Sequence, residues 1–216
     1  LGAQEGGVGS ETRRRLLTDS VQGVLNNARL LQEVVNIYRS FSYINRPCFE
    51  VVQINALLDE IVGVFSLSLP VKTVVQKAYA DGIPECTVEP RLLKLAVFNI
   101  LTNAVDAIKR SGGSDGVITV TTSSAPALGG VCIVIRDTGG GICNADGQLA
   151  SQSEIDDIFR YGVSTRTEAG GEGLGLSWVW TIVEEFHNGS VDARNHPEGG
   201  AEFVMKIGAK HEDSDC

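Results

Sequence analysis

Three polar side chains share one face of a long predicted helix in the middle of the chain. Asn99, Asn103 and Asp106 are separated by four and then three residues, which places them on the same side of a helix. Amides are poor helix formers, so two of them one turn apart inside an apolar helix require a reason. Magnesium prefers oxygen ligands and is often held by one or two side chains plus substrate phosphates. The spacing suggests such a site, and a satisfied polar helix edge is an equally good interpretation of these residues alone.

Two glycine-rich motifs could complete a nucleotide site. The motif DTGGGI (137–142) follows an apolar strand, and its carboxylate is an acceptor that could hold an amino group such as that of adenine. Its glycines allow a flat ring to approach the backbone closely. The motif GEGLGL (171–176) opens a helix, where exposed backbone N–H groups and the helix dipole can hold phosphate. Each motif alone is weak evidence, because most glycine-rich turns have no ligand.

The elements that must position these residues are strands and helices in mixed order. Because they do not alternate strictly as βαβ units, they predict an α/β sandwich, with one mixed sheet and helices packed on one of its faces. The stretch 138–173 is predicted to be irregular apart from a short apolar piece at 155–159. The predicted strands are 49–54, 71–78, 116–122, 131–136, 190–193 and 201–207, and the predicted helices are 56–65, 90–111 and 174–186.

An additional helix is predicted before this region. Its apolar residues alternate spacings of four and three over about three heptads, which favours pairing with another helix. An ordinary amphipathic helix docked on its own domain is the alternative. Pro47 ends this element, because the residue before a proline avoids the helical conformation. The apolar seam consists of Leu17, Val21, Val24, Ala28, Leu31, Val35 and Tyr38.

The composition restricts the class of protein. The chain has 216 residues, of which 43% are hydrophobic, and this is enough for a packed core. Its 18 basic and 27 acidic residues give a net charge of −9, which argues against a nucleic-acid partner. No apolar run is long enough to span a bilayer, so this part of the chain is not expected to contact a membrane. The five cysteines include no CxxC pair, which predicts reduced thiols rather than a zinc site or a disulfide framework.

The motifs in their order resemble the Bergerat ATP-binding fold of the GHKL superfamily, and most closely its sensor histidine kinase branch. The segment FNILTNAVDAI (98–108) is similar to the N box of that family, and DTGGGI is similar to its first glycine box. IFRYGVSTR (158–166), GEGLGLS (171–177) and GGAEFVMKI (199–207) are similar to the F-box region, the second glycine box and the closing strand. The resemblance covers about residues 49–209, and several motifs in the same order rarely recur by chance.

The resemblance implies a role for each matching residue. Asn103 would coordinate the magnesium that bridges the ATP phosphates, and Asn99 would assist it, so these two are the expected catalytic residues. Asp137 would accept a hydrogen bond from the adenine amino group. A segment over 143–172 would act as a mobile lid whose end contacts the phosphates. The residues expected to bind the nucleotide are Asn103, Asp106, Asp137, Gly139, Gly141, Ile142, Thr165, Arg166, Gly171, Gly173, Leu174 and Gly175.

The same resemblance implies an organisation and partners. Residues 1–47 would be a flexible start and a dimerisation-type helix, residues 48–212 the ATP-binding catalytic domain, and residues 213–216 a tail. The cofactors would be ATP and Mg²⁺. The partners would be a phosphoacceptor helix of the same or a partner subunit and a response regulator, in a homodimeric full-length protein. The location would be cytoplasmic, with any membrane anchor upstream.

Two departures from the family pattern leave alternatives open. None of His187, His196 and His211 has the position of the family's phosphoacceptor histidine, which permits a nucleotide-sensing, degenerate kinase that acts as an interaction module. Gly140 replaces a common proline, which loosens the first glycine box. Another GHKL ATPase is a third interpretation. Those enzymes place an acidic residue one turn before the magnesium asparagine, where this chain has Asn99, and this argues against efficient ATP hydrolysis.

Overall fold

The computed structural model describes residues 47–67, 69, 73–112, 115–160 and 175–209. The helix predicted over 17–38, the predicted tail at 213–216 and residues 161–174 lie outside the described residues. The described helices are α1 (Ile54–Ser66), α2 (Pro90–Arg110), α3 (Gln152–Asp156) and α4 (Gly175–Trp180), which continues as a π-helix over Thr181–Phe186. The strands are β1 (Glu50–Val52), β2 (Thr73–Tyr79), β3 (Cys86–Val88), β4 (Gly116–Ala125), β5 (Gly130–Asp137), β6 (Ser190–Asn195) and β7 (Ala201–Ile207).

Five strands form one mixed sheet in the order β2-β4-β5-β7-β6. Strands β2 and β4 are parallel, and the other neighbouring pairs are antiparallel. Alternate residues of β5 are buried, including Val131, Ile133 and Ile135, whereas the residues between them are only partly buried. One face of the sheet therefore carries the helices and the core, which confirms the predicted fold class.

Helix α2 is the central element of the core. Glu89 caps it, since its Oε2 accepts a hydrogen bond from the Leu92 N–H at 2.6 Å, and Pro90 occupies the first helical position. The helix ends at Arg110, and Gly112 follows with a φ of +74°, in the left-handed region that glycine adopts without strain. Its apolar stripe is almost completely buried, as the periodicity predicts. The stripe consists of Leu93, Val97, Ile100, Ala104 and Ile108.

The structure differs from the predicted elements in two places. Strand β3 was not predicted. It has only three residues, too few for a recognisable sequence pattern, and it is defined by its pairing with β1. Residues 143–160 belong to the stretch predicted to be irregular apart from 155–159, and they contain a β-bridge and the helix α3, which the sequence did not predict. The backbones of Cys143 and Leu149 form an isolated antiparallel β-bridge. Ser151 and Glu154 form a capping box at the start of α3, and the Ile155 side chain is 2% exposed. The few apolar residues of this stretch order it because they reach the shared core.

Cysteine usage and hydropathy give two further outcomes. Cys86, Cys132 and Cys143 are free thiols, as predicted, whereas Cys48 is disulfide-bonded, so the prediction is wrong at that residue. None of the helices within the described ranges is long and apolar enough to cross a bilayer.

His187 links the end of the π-helical segment to the start of α2. The Glu89 N–H donates to Nε2 of His187 at 3.0 Å, so the opposite ring nitrogen carries the proton. That nitrogen, Nδ1, lies 2.6 Å from the Ile182 carbonyl oxygen and donates to it. The ring is 4% exposed and packs edge-on against Phe49. His187 is therefore a structural histidine with both nitrogens engaged.

Replacing His187→Ala should lower the free energy of unfolding by about 3 kcal/mol, because it leaves a buried N–H and a buried carbonyl without their partner. The matched control is His196→Ala in the β6–β7 turn, which should change stability by less than about 0.5 kcal/mol. Urea unfolding of both variants measures the difference. Equal stability of the two variants would show that the hydrogen bonds of His187 do not stabilise the contact between the π-helical segment and α2.

Candidate nucleotide-binding site

The polar face of α2 carries the half-buried side chains of Asn99, Asn103 and Asp106. Asn99 donates from Nδ2 to the Leu95 carbonyl oxygen at 3.0 Å, which fixes the amide and leaves Oδ1 directed away from its own helix. A Cβ at Gly175 would lie 3.3 Å from that Oδ1, so the first residue of α4 is in close contact with Asn99. One end of the polar face of α2 therefore meets the start of α4.

The first glycine motif packs on the other end of the same helix. A Cβ at Gly139 would lie 2.7 Å from the Ala107 carbonyl carbon and 2.8 Å from the Ile108 nitrogen. Only glycine allows this approach to the helix backbone. Asn99 and Ala107 are eight residues apart, or about 12 Å along the helix axis. Asn103 lies midway between them, so α2 connects the first glycine motif to the start of α4.

Asp137 ends β5 and is 2% exposed. Its Oδ1 accepts a hydrogen bond from the Gly139 N–H at 2.7 Å. Burial raises the pKa of this carboxyl above its ordinary value. Hydrogen bonds from the N–H groups of Gly139 and Ala201, and the charges of Arg110 and Arg136, oppose that rise without cancelling it. The result is a buried acceptor at the inner edge of the glycine motif.

Asn195 holds the last residue of the same motif, and sequence reasoning missed it. Its Oδ1 accepts from the Ile142 N–H at 2.6 Å, and its Nδ2 donates to the carbonyl oxygens of Ile142 at 3.1 Å and Ala150 at 3.3 Å. Gly141 precedes this clamp with φ of +79°. The only sequence signal was an asparagine beyond the predicted strand 190–193, because the partner loop is 53 residues away.

The donor set on α2 fits magnesium bound together with phosphates. Among the described residues, no group of three or more His, Cys, Asp and Glu side chains could enclose a metal ion. A site that depends on one or two amide oxygens plus the oxygens of a ligand needs no such group. The amide of Asn99 already has its nitrogen engaged and its oxygen directed toward the start of α4. Asn103 would be the ligand nearest the middle of the site.

The structure thus brings part of the predicted site together. Asn99, Asn103 and Asp106 lie on one helix face, the motif from Asp137 to Ile142 packs at its end, and Gly175 packs at its start. Phe159, in the predicted F-box region, is half-buried with its ring edge-on to Phe203. The predicted phosphate-end residues Thr165, Arg166, Gly171, Gly173 and Leu174 lie outside the described residues.

Replacing Gly139→Ala should destabilise the fold by about 1–3 kcal/mol, because the added methyl group would collide with backbone atoms of a buried helix. Gly140→Ala is the matched control, since its Cβ would meet only the Ser111 Cβ, at 3.8 Å. Thermal unfolding of the two variants measures the effect. An unchanged melting temperature for Gly139→Ala would mean that the motif does not pack on α2 as described.

Comparison with known proteins identifies the family. Residues 88–211, more than half of the chain, match the family model described as histidine kinase-, DNA gyrase B- and HSP90-like ATPase. The sensor histidine kinase ZraS of Escherichia coli (strain K12) is 31% identical over 157 residues, which cover 72% of this chain and 30% of ZraS. The chain therefore spans about a third of the length of this curated relative.

Solved structures agree on the fold. The full-length histidine kinase ShkA in complex with AMPPNP is similar with a TM-score of 0.66 and 21% identity, covering 90% of this chain and 38% of ShkA. The histidine kinase ThkA in complex with the response regulator TrrA is similar with a TM-score of 0.67 and 18% identity, covering 97% of this chain and 53% of that one. The chain belongs to the histidine kinase-, DNA gyrase B- and HSP90-like ATPases, and it contains the ATP-binding domain of a GHKL histidine kinase with the Bergerat fold.

Proposed function

We propose that this chain binds Mg-ATP and donates its γ-phosphoryl group to a histidine on a separate helix, in two-component signal transduction. The observation that carries the proposal is the arrangement along α2. A buried acceptor and a glycine motif pack at one end of its polar face, and the start of another helix packs at the other. An elongated ligand with a flat, amino-bearing base and a polyphosphate matches this arrangement in shape and chemistry.

The adenine would bind at the end that contains Asp137. Its carboxylate would accept a hydrogen bond from the amino group, while Gly139, Gly141 and Ile142 would line the base. A buried carboxylate without that partner is costly, so the correct base is favoured over one that presents a carbonyl oxygen at the same position. This supports selection of adenine over guanine.

The phosphates would lie between Asn103 and the start of α4. Magnesium would neutralise the phosphate charge, with Asn103 as the protein ligand, Asn99 in support and Asp106 on the same face. The backbone at Gly175 begins a helix, where N–H groups are available to anions. Thr165, Arg166, Gly171, Gly173 and Leu174 are proposed to close over the phosphates as part of a lid.

The acceptor histidine is proposed to lie on another segment. His187 has both ring nitrogens engaged in the core, and Nδ1 of His196 accepts a hydrogen bond from the Glu198 N–H in a turn. Asn99, an amide where a hydrolase would carry an acidic base, does not favour transfer to water. The proposed acceptor belongs to the dimerisation region, for which the predicted helix over 17–38 would be the second helix in a homodimer. A response regulator, such as the partner of ThkA, would take the phosphoryl group next.

A nucleotide-sensing module without transferase activity is the second candidate. The bonds of His187 and His196 to backbone groups in the described part of the chain permit this candidate, since neither ring is placed as an acceptor. Such a module would bind Mg-ATP through the same residues and report it through a change in the lid.

Replacing Asn103→Asp should weaken Mg-ATP binding by at least about tenfold, because the added charge faces the phosphates while an oxygen ligand is kept. Thr102→Ala is the matched control on the same turn of α2, since Thr102 bonds only the Phe98 carbonyl in its own helix. Calorimetry with Mg-ATP measures the affinities. Wild-type affinity in the Asn103→Asp variant would rule out its role as the magnesium ligand.

Phosphotransfer distinguishes the two candidates. The unmodified chain is incubated with radiolabelled Mg-ATP and a separately supplied histidine-bearing helical hairpin of a histidine kinase. The kinase proposal is supported if the unmodified chain labels the hairpin and the Asn103→Asp variant does not. Tight Mg-ATP binding without any label supports the sensing module.

Replacing Asp137→Asn should reduce the preference for ATP over GTP and remove a pH step from ATP binding. Since burial raises the pKa of Asp137, the carboxylate is lost at a higher pH than for an exposed aspartate as the pH falls. ATP affinity should therefore decline as the pH falls through that raised pKa. Asp192→Asn, on the exposed side of β6, is the control that reveals the titration of the nucleotide itself. Identical pH profiles of the two variants would contradict the role of Asp137.

A further inference from the structure

The bonds made by Asn195 connect the edge of the sheet to the end of the first glycine motif. Asn195 is the last residue of β6 and pairs with Ala201 of β7. From this position its amide makes two bonds to the backbone of Ile142, one as acceptor and one as donor, and a further one to Ala150. The Asn195 side chain thus bonds to both the N–H and the carbonyl of Ile142, as the backbone of a neighbouring strand would. These bonds hold the last residue of the glycine motif in place.

The clamp also acts on the glycine that precedes it. A Cβ at Gly141 would lie 2.7 Å from Oδ1 of Asn195 and 2.9 Å from Cδ2 of Leu149. Gly141 therefore follows a path that only glycine can take, between the Asn195 amide and the loop of Leu149. At the other end of the motif, Gly139 is fixed against α2. The motif is held at both ends, and Asn195 is the only side chain among the described residues with hydrogen bonds to the backbone of Ile142.

We infer that Asn195 is a positioning residue for base selection, and this inference rests on the proposed function. By holding Gly141 and Ile142 in place, Asn195 fixes the width of the pocket in which Asp137 meets the base. Without the clamp the motif can shift outward, so that a base lacking the amino group is tolerated. Asn195 itself is not proposed to contact the nucleotide. Its effect is therefore on selectivity.

Gln152, the first residue of α3, provides a matched control because its amide bonds to the same strand, β6. Its Nε2 donates to the Ala193 carbonyl oxygen at 3.0 Å and to Oδ1 of Asp156 at 2.9 Å. Gln152→Ala therefore removes an amide that ties α3 to β6 without touching the glycine motif. Asn195→Asp is the conservative variant, because it keeps the acceptor for the Ile142 N–H and loses the donor to the two carbonyl oxygens.

The experiment measures ATP and GTP affinity by calorimetry for the unmodified chain and the Asn195→Ala, Asn195→Asp and Gln152→Ala variants, with hydrogen exchange of the Ile142 amide as a local readout. Asn195→Ala should lower the ratio of ATP to GTP affinity about tenfold and accelerate exchange at Ile142. Asn195→Asp should have an intermediate ratio, and Gln152→Ala should match the unmodified chain.

The outcomes separate this inference from the proposed function. An unchanged ratio in both Asn195 variants, or an equal loss in Gln152→Ala, overturns the positioning role while ATP binding stands. An unmodified chain that binds neither nucleotide, or both equally, refutes the proposed adenine site instead. If Asn195→Ala does not fold, the ratio in Asn195→Asp decides the question.

Discussion

The burial of one side of α2 against the sheet is the contact on which the remaining structure depends. Val97, Ile100 and Ile108 are at most 2% exposed, and burying each such side chain contributes about 1.5–3 kcal/mol. The apolar stripe faces the core and so sets the rotation of the helix about its axis. This rotation also determines the direction in which Asn99, Asn103 and Asp106 point. The same packing that stabilises the fold therefore also aligns the candidate ligands of magnesium.

Close backbone contact brings the other parts of the site to this helix. At Gly139 a Cβ would collide with the backbone of α2, and at Gly200 it would collide with the carbonyl of Asp137. These glycines allow the end of β5 to lie between the helix and the β6–β7 turn without an intervening layer of side chains. Such closeness also explains why Asp137 is buried and why its pKa is raised.

Polar ties between distant segments complete the arrangement. His187 joins the π-helical segment to the start of α2, and Asn195 joins the edge of the sheet to the end of the glycine motif. Both side chains bond to backbone atoms. The partners of His187 are Glu89, 98 residues away, and Ile182, five residues away, and those of Asn195 are 53 and 45 residues away. Buried polar groups that are fully paired fix one geometry, because any displacement leaves an unpaired group. The bonds of Asn195 lie at the end of α2 where the base is proposed to bind.

The sequence by itself determined the fold class, the extent of α2 and the candidate residues on it. Each of these depends on local rules: the periodicity of the apolar stripe, the cap at Glu89 followed by Pro90, and glycine after a strand or a helix. The glycine motif from Asp137 to Ile142 could be recognised for the same reason, since its carboxylate and its glycines are adjacent in sequence.

Only the tertiary structure decided strand β3, the order of residues 143–160, the burial of Asp137 and the clamp at Asn195. None of these has a local signature. The partners in the clamp are 53 and 45 residues apart, and β3 exists through its pairing with β1. Ile155 orders its segment because the core lies beneath it, although its own neighbours are polar. Contacts between distant segments arise from the packing of the whole chain, so they cannot be predicted from periodicity or motif spacing.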